Sequence, residues 1–178
     1  MKKVLIIAGT VIAIILLNVA IFAGVSNNIV SLEEQIEESS SGIKIQEKRR
    51  EDLLYNLVDT AKAYAKYEND TLTKLAEARS SLNKGNTDEA KTILNAIAEN
   101  YPELKANEQY KQVMLEMATT ENLIANYREN YNKQVKNYNK YVRKFPNNII
   151  SSILGYEKID VDYLKYNVSD SSPKNLWD

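Results

Sequence analysis

The 178-residue chain contains neither cysteine nor histidine. The first absence excludes disulfide scaffolds, thiol enzymes, cysteine-built zinc sites and the lipidated cysteine of a bacterial lipoprotein. The second removes histidine-based catalytic triads. Glycine, at five, and proline, at three, are scarce, so few residues are suited to turns, and long helices are the natural use of a composition that is 44% hydrophobic and 26% charged. Those glycines (Gly9, Gly24, Gly42, Gly85 and Gly155) are too scattered to form a phosphate-binding loop, and no cofactor is implied. With 23 basic against 24 acidic residues there is no positive excess to attract a phosphate backbone. Nucleic acid is therefore not an expected partner.

What is present in quantity is one apolar run. Residues 4–25 are apolar except for Thr10, Asn18 and two glycines, and about 22 residues at about 1.5 Å each reach about 33 Å, enough for a hydrocarbon core of roughly 30 Å. Val4, Leu5, Ile6, Ile7, Val11, Ile12, Ile14, Ile15, Leu16, Leu17, Val19, Ile21 and Phe22 form its lipid-compatible surface. Lys2 and Lys3 would suit the start of a cleaved secretory signal, but the end of the run sets bulky groups at Ile21-Phe22-Ala23 where small residues would be needed for cleavage. An uncleaved signal anchor over 1–25 is the expectation. Residues 26–38 carry four glutamates and no lysine or arginine. The positive-inside rule then puts the amino terminus in the cytoplasm of a bacterial cell and the soluble part outside it.

Beyond the anchor, Ile29, Leu32, Ile36, Ile43, Leu54, Leu57, Ala61, Tyr64, Leu72, Leu75 and Leu82 follow one another mostly in steps of three, four or seven, which is a helical stripe. Two breaks stay open: the small polar cluster Ser39-Ser40-Ser41-Gly42, and Asn69-Asp70-Thr71, where an N-cap can restart a helix. Gly85 predicts a helix end, with Asn86 and Glu89 as a capping pair for a short helix over 87–99. Pro102 predicts the start of a single helix running to Pro146 on Val113, Met117, Thr120, Ile124, Tyr127, Tyr131, Val135, Tyr138, Val142 and Phe145. At about 43 residues it would be near 65 Å long and stable only when its stripe is buried on partners. The resulting expectation is an all-α protein, an amino-terminal transmembrane helix followed by an antiparallel four-helix bundle over 26–146, with a tail over 147–178.

The segment Tyr101-Pro102-Glu103-Leu104-Lys105-Ala106-Asn107, then Thr120-Glu121-Asn122, Arg128, Tyr131-Asn132, Tyr138-Asn139 and Phe145-Pro146, resembles the signature of the bacterial LemA family. Arg50, Asp52-Leu53 and Asn56-Leu57-Val58 do so as well, and the resemblance runs from the membrane helix to about Gly155-Tyr156, where the family usually has Gly-Phe. It implies one amino-terminal membrane helix, a soluble four-helix bundle and a poorly defined molecular function. It also implies a short external amino terminus, opposite to the direction set by Lys2 and Lys3. Genes of such proteins often lie near membrane zinc metalloproteases, which offers a partner class.

Candidate chemistry is thin. A four-helix bundle invites a carboxylate-bridged di-iron site, but no histidine completes it. Glu33-Glu34, Glu37-Glu38 and Asp88-Glu89 are adjacent pairs whose side chains diverge by about 100 degrees around a helix and suit a solvated face. Ser39-Ser40-Ser41 lacks a nucleophile elbow and a base. The residues that merit most attention are the polar positions of the family motif: Arg50, Asp52, Asn56, Asn107, Glu121, Asn122, Arg128 and Asn132. They form either a site for a ligand or partner, or a set of pairings that fixes helix register, since an unsatisfied buried polar group costs about 1–3 kcal/mol. The register reading is preferred. Tyr127, Tyr131, Tyr138 and Tyr141 are read as core residues with hydroxyls reaching water, against an exposed strip for a partner. Ile149, Ile150, Ile153 and Leu154 lie either in a membrane interface or over the bundle's open end; packing is preferred, because the polar face lacks the Lys/Arg density of a typical interfacial helix. The function expected is a scaffold or adaptor in the cell envelope, anchored in the bilayer and binding an envelope protein or itself. The alternatives are a metal-binding accessory or enzyme built on acidic residues, and a lipid-binding, membrane-remodelling module.

Overall fold

The computed structural model describes residues 1–65 and 68–160. Six helices account for nearly all of them: α1 (Lys2–Lys62), α2 (Asn69–Asn83), α3 (Thr87–Asn100), α4 (Pro102–Ala106), α5 (Glu108–Arg143) and α6 (Asn147–Leu154). No strand occurs among the described residues, in agreement with the all-α expectation. The chain divides into two compact units, one of Met1–Glu38 with Glu129–Asp178 and one of Ser39–Arg128.

α1 is continuous for 61 residues. Its apolar run is the one stretch among the described residues long and apolar enough to cross a membrane, and protein covers none of it up to Ile21. A helix in a soluble core hides such a surface. Here it is left open along its whole circumference, as a lipid-facing helix requires.

Of the two breaks left open by the sequence, the chain takes the later one. α1 passes straight through Ser39-Ser40-Ser41-Gly42 and ends at Lys62, and α2 begins at Asn69. Small residues at this point allow close packing instead of a turn. Ser39 is buried, and a methyl group at Gly42 would clash with the edge of the Tyr127 ring. The N-cap position of α2 is Glu68, whose carboxylate accepts hydrogen bonds from the hydroxyls of Thr71 and Tyr101.

The helix expected from Pro102 to Pro146 is two helices. Asn107 leaves helical geometry at φ −63° and ψ 131°, and its Oδ1 accepts a hydrogen bond from the Tyr110 backbone N–H at 3.0 Å. That is an N-cap for α5, a stronger start signal than the proline five residues earlier. At Gly85 (φ +79°) the expected turn forms, closed by Gly85 N–H to the Leu82 carbonyl at 2.9 Å and Asn86 N–H to the Ser81 carbonyl at 2.8 Å. Asn86 does not cap α3 with its side chain. Its amide donates to Glu89 at 3.3 Å instead.

In the unit of residues 39–128, paired side chains give the helix directions. Tyr55 reaches Asn83 at 2.7 Å and Asp59 faces Arg79 at 3.6 Å, so α1 and α2 run antiparallel. Glu47 meets Arg128 at 2.9 Å and Tyr64 meets Asn107 at 2.7 Å, which sets α1 antiparallel to α5. Leu54 and Leu57 of α1, Leu75 and Leu82 of α2, Leu94 and Ile97 of α3, Leu104 of α4 and Met117 of α5 fill a common core. Ala61, Ala78 and Ala90 lie among them and let the backbones approach. Each large aliphatic side chain buried in this way is worth roughly 1.5–3 kcal/mol.

The other unit has a smaller core of Val25, Ile29, Tyr138, Val142 and Ile150, edged by Phe22, Leu32, Ile36, Tyr141, Tyr156 and Ile159. Tyr127 and Tyr131 are half-buried in their own units. The segment expected as a tail with a short apolar patch begins with α6, after a cis Phe145–Pro146 peptide. Of its four apolar residues Ile150 alone is buried. Ile149, Ile153 and Leu154 stay 53%, 66% and 42% exposed, so the patch covers the core with one residue and leaves three outside.

The Gly42–Tyr127 contact sets two effects of opposite sign against each other. Gly42→Ala gains about 1 kcal/mol of helix propensity but forces the ring to move, at a cost of about 1–3 kcal/mol. Thermal melts of the full chain in detergent should show Gly42→Ala lowering Tm in the native background and raising it in Tyr127→Ala. The same sign in both backgrounds would mean that the ring does not press on the glycine.

Candidate functional site

The polar residues singled out from the motif are distributed over separate pairings. Arg50 donates to the Thr87 hydroxyl at 2.6 Å and lies 3.5 Å from Asp88, at the start of α3. Arg128 donates to Glu47 at 2.9 Å, and Glu121 accepts from Lys91 at 2.6 Å. Asn107 caps α5 and donates to the Tyr64 hydroxyl. Asp52 makes a surface pair with Lys48 at 3.2 Å, whose pKa is raised by the hydrogen bonds its ammonium donates to Glu51 and Asp52. Asn56 and Asn122 are exposed, and Asn132 is half-buried in the unit containing the amino terminus. The partners that sequence reasoning missed are Glu47, Tyr64, Thr87 and Lys91. Glu47, Thr87 and Lys91 are ordinary surface types, Tyr64 reads as one more member of the apolar stripe, and no spacing rule connects any of them to an arginine, an asparagine or a glutamate 30 to 81 residues away.

Two of these arginines are held closely. The Nε atoms of Arg50 and Arg128 are buried and find no acceptor among the described residues, while their terminal nitrogens make the ion pairs. Their stems lie against the bundle and their charge is neutralised at its edge, the usual use of a long cationic side chain in packing. Among the described residues no three acidic side chains gather as a metal site would require.

A shallow groove lies between α3, α4 and α5. Ala98, Tyr110 and Met114 give it a mostly apolar floor, and Asn95, Glu99, Lys105 and Lys111 are its exposed rim. Burial pushes the Tyr110 phenol above its ordinary value of about 10. The folded protein therefore keeps this proton to higher pH than the unfolded chain. Its contribution to stability is complete below about pH 10 and falls as the pH rises through and beyond that value. Denaturation at rising alkaline pH should show a flatter loss of stability in Tyr110→Phe than in the native chain. Equal slopes would count against burial of an ionisable phenol here.

The Asn107 and Asn122 positions separate structural polar residues from surface ones. Asn107→Ala should cost about 1–2 kcal/mol through loss of the cap and the Tyr64 bond, lowering Tm by several degrees. Asn122→Ala should stay within about 0.5 kcal/mol of the native chain. Melting curves that ranked the two in the reverse order would contradict the capping role.

A sequence profile matches residues 39–174, reaching from the bundle through α6 and past the last motif at Tyr156. Protein LemA of Metamycoplasma hominis is 29% identical to this chain, over 80% of the chain and 75% of its own length. Magnetosome protein MamQ 1 of Paramagnetospirillum magneticum is 33% identical over 38% of the chain, and magnetosome protein MamQ of Magnetospirillum gryphiswaldense is 31% identical over the same share. The chain spans 25% of the length of each of these magnetosome proteins. All eight polar motif residues lie inside the profile match, which covers most of the chain and is that of the LemA family; to that family this chain belongs.

Proposed function

We propose that this chain is a membrane-anchored scaffold that presents its helical bundle to another envelope protein or to a second copy of itself. Family membership and the open apolar helix are consistent with a single-pass, membrane-associated envelope protein. The observation that carries the further step is the groove of Ala98, Tyr110 and Met114. It combines an apolar floor containing a tyrosine and a methionine with a rim of both charge signs, the composition of a modest protein-binding surface. Arg50, Asn107, Glu121 and Arg128 serve helix register and capping, because their pairings join different helices or start one. No catalytic residue is assigned. Lys2 and Lys3 before the span, and the glutamates after it, favour a cytoplasmic amino terminus with the bundle outside.

Photo-crosslinking in native membranes from Lys111 and Asn95, with Glu77 on α2 as a control position, tests the proposal. The expected outcome is capture of the same envelope protein, or of this chain, from both groove positions and not from the control. Capture of lipid alone or of unrelated neighbours, equal at all three positions, would remove the basis for a scaffold acting through this groove.

A further inference from the structure

α6 is an eight-residue helix with two apolar edges, and folding uses one of them. Ile150 enters the small core with Val25 and Ile29, while Ile149 and Ile153, four residues apart on the neighbouring stripe, are open. Leu154 lies in an apolar groove whose other wall is the membrane segment itself: Ile15, Val19, Phe22 and Ser26 along one face of α1. The exposed edge of α6 is thus beside the last turns of the apolar run, at a level where the environment is lipid if α1 spans. A water-soluble partner has no access there.

Two features fit α6 to that level. Its carboxyl-terminal end is closed: Gly155 takes a left-handed conformation (φ +79°), and the Tyr156 N–H bonds to the Ser151 carbonyl at 2.8 Å, so few carbonyls there would face hydrocarbon unsatisfied. The helix is also pinned from above. Asn139 exchanges two 2.9 Å hydrogen bonds with the backbone of Ile159, and the Tyr138 hydroxyl donates to the Glu157 carbonyl at 3.2 Å. Immediately before α6, Lys136, Lys140, Arg143 and Lys144 line one shallow recess at the end of α5, all exposed. A basic collar next to an apolar edge is the arrangement that binds anionic headgroups while its aliphatic side chains enter the acyl boundary.

We propose that α6 is a second membrane contact: Ile149, Ile153 and Leu154 insert into the leaflet that α1 leaves, and the Lys136–Lys144 recess binds the headgroups of anionic lipids there. This rests on α1 spanning the bilayer, and the test separates the two.

The absence of native cysteine allows single labels. Full-length chain carrying Ile149→Cys, Ile153→Cys, Leu16→Cys or Glu37→Cys, each labelled with an environment-sensitive fluorophore, is reconstituted in phosphatidylcholine vesicles with or without phosphatidylglycerol. Quenching is measured from brominated acyl chains and from aqueous iodide. The expected result is bromine quenching at 149 and 153 approaching that at 16, iodide quenching at 37, and deeper labels at 149 and 153 when phosphatidylglycerol is present. In Lys140→Glu/Arg143→Glu/Lys144→Glu the dependence on phosphatidylglycerol should be lost. Bromine quenching at 16 with iodide quenching at 153 would overturn the α6 contact and leave the span intact. Iodide quenching at both positions would overturn the span, and the proposal with it. Quenching at 153 that ignored lipid charge in both backgrounds would overturn the headgroup recess.

Discussion

Within a hydrocarbon core no water is available to backbone N–H and C=O groups, so a lone segment can cross only as an unbroken helix with apolar side chains on every side. α1 meets that constraint through its apolar run and then, without interrupting its backbone, changes what its side chains face. Residues up to Ile21 are exposed, whereas Val25 and Ile29 are buried. From that turn onward the apolar stripe needs protein cover, because the part of α1 beyond the span lies in water and gains little from propensity alone. Tyr138, Val142 and Ile150 supply the cover in one unit, and residues of α2, α3 and α5 supply it in the other.

Once α1 has to be covered along its length, register becomes the next problem. A stripe of leucines and isoleucines in steps of three and four packs nearly as well after a slip of one turn. What a slip cannot preserve are singular contacts: the Tyr127 ring over Gly42, Arg128 on Glu47, Arg50 on Thr87 and Tyr64 on Asn107. Individually the half-exposed ion pairs are weak, at about 0–1 kcal/mol. On the proposed register reading their value lies in being compatible with one alignment only, and three of the four contacts use motif residues, Arg50, Asn107 and Arg128.

The periodicity made the helices legible because burial of one face leaves a repeat in the sequence. It could not distinguish a turn from a close contact at Ser39–Gly42, since small residues serve both. Asn107 was hidden for a related reason: Pro102 is the more conspicuous start signal, and only the bond to the Tyr110 N–H shows which residue opens the long helix. The polar residues were recognisable by type but not by role. The partners of Arg50, Glu121 and Arg128 come from other helices, at distances that spacing along the chain does not encode.

Reading α6 as a core cover rested on the low Lys/Arg density of its polar face, a criterion that leaves out the residues before the helix. The charges come from the end of α5, while the apolar edge comes from the helix after it. Core formation accounts for Ile150 but gains nothing from Ile149 and Ile153, which remain mostly in contact with whatever surrounds the protein. Tyr138 and Asn139 meanwhile spend hydrogen bonds on holding the chain beyond α6 in place. A helix fixed on one edge and left apolar on the other, beside a membrane segment, has its unused surface determined by the surroundings rather than by the fold.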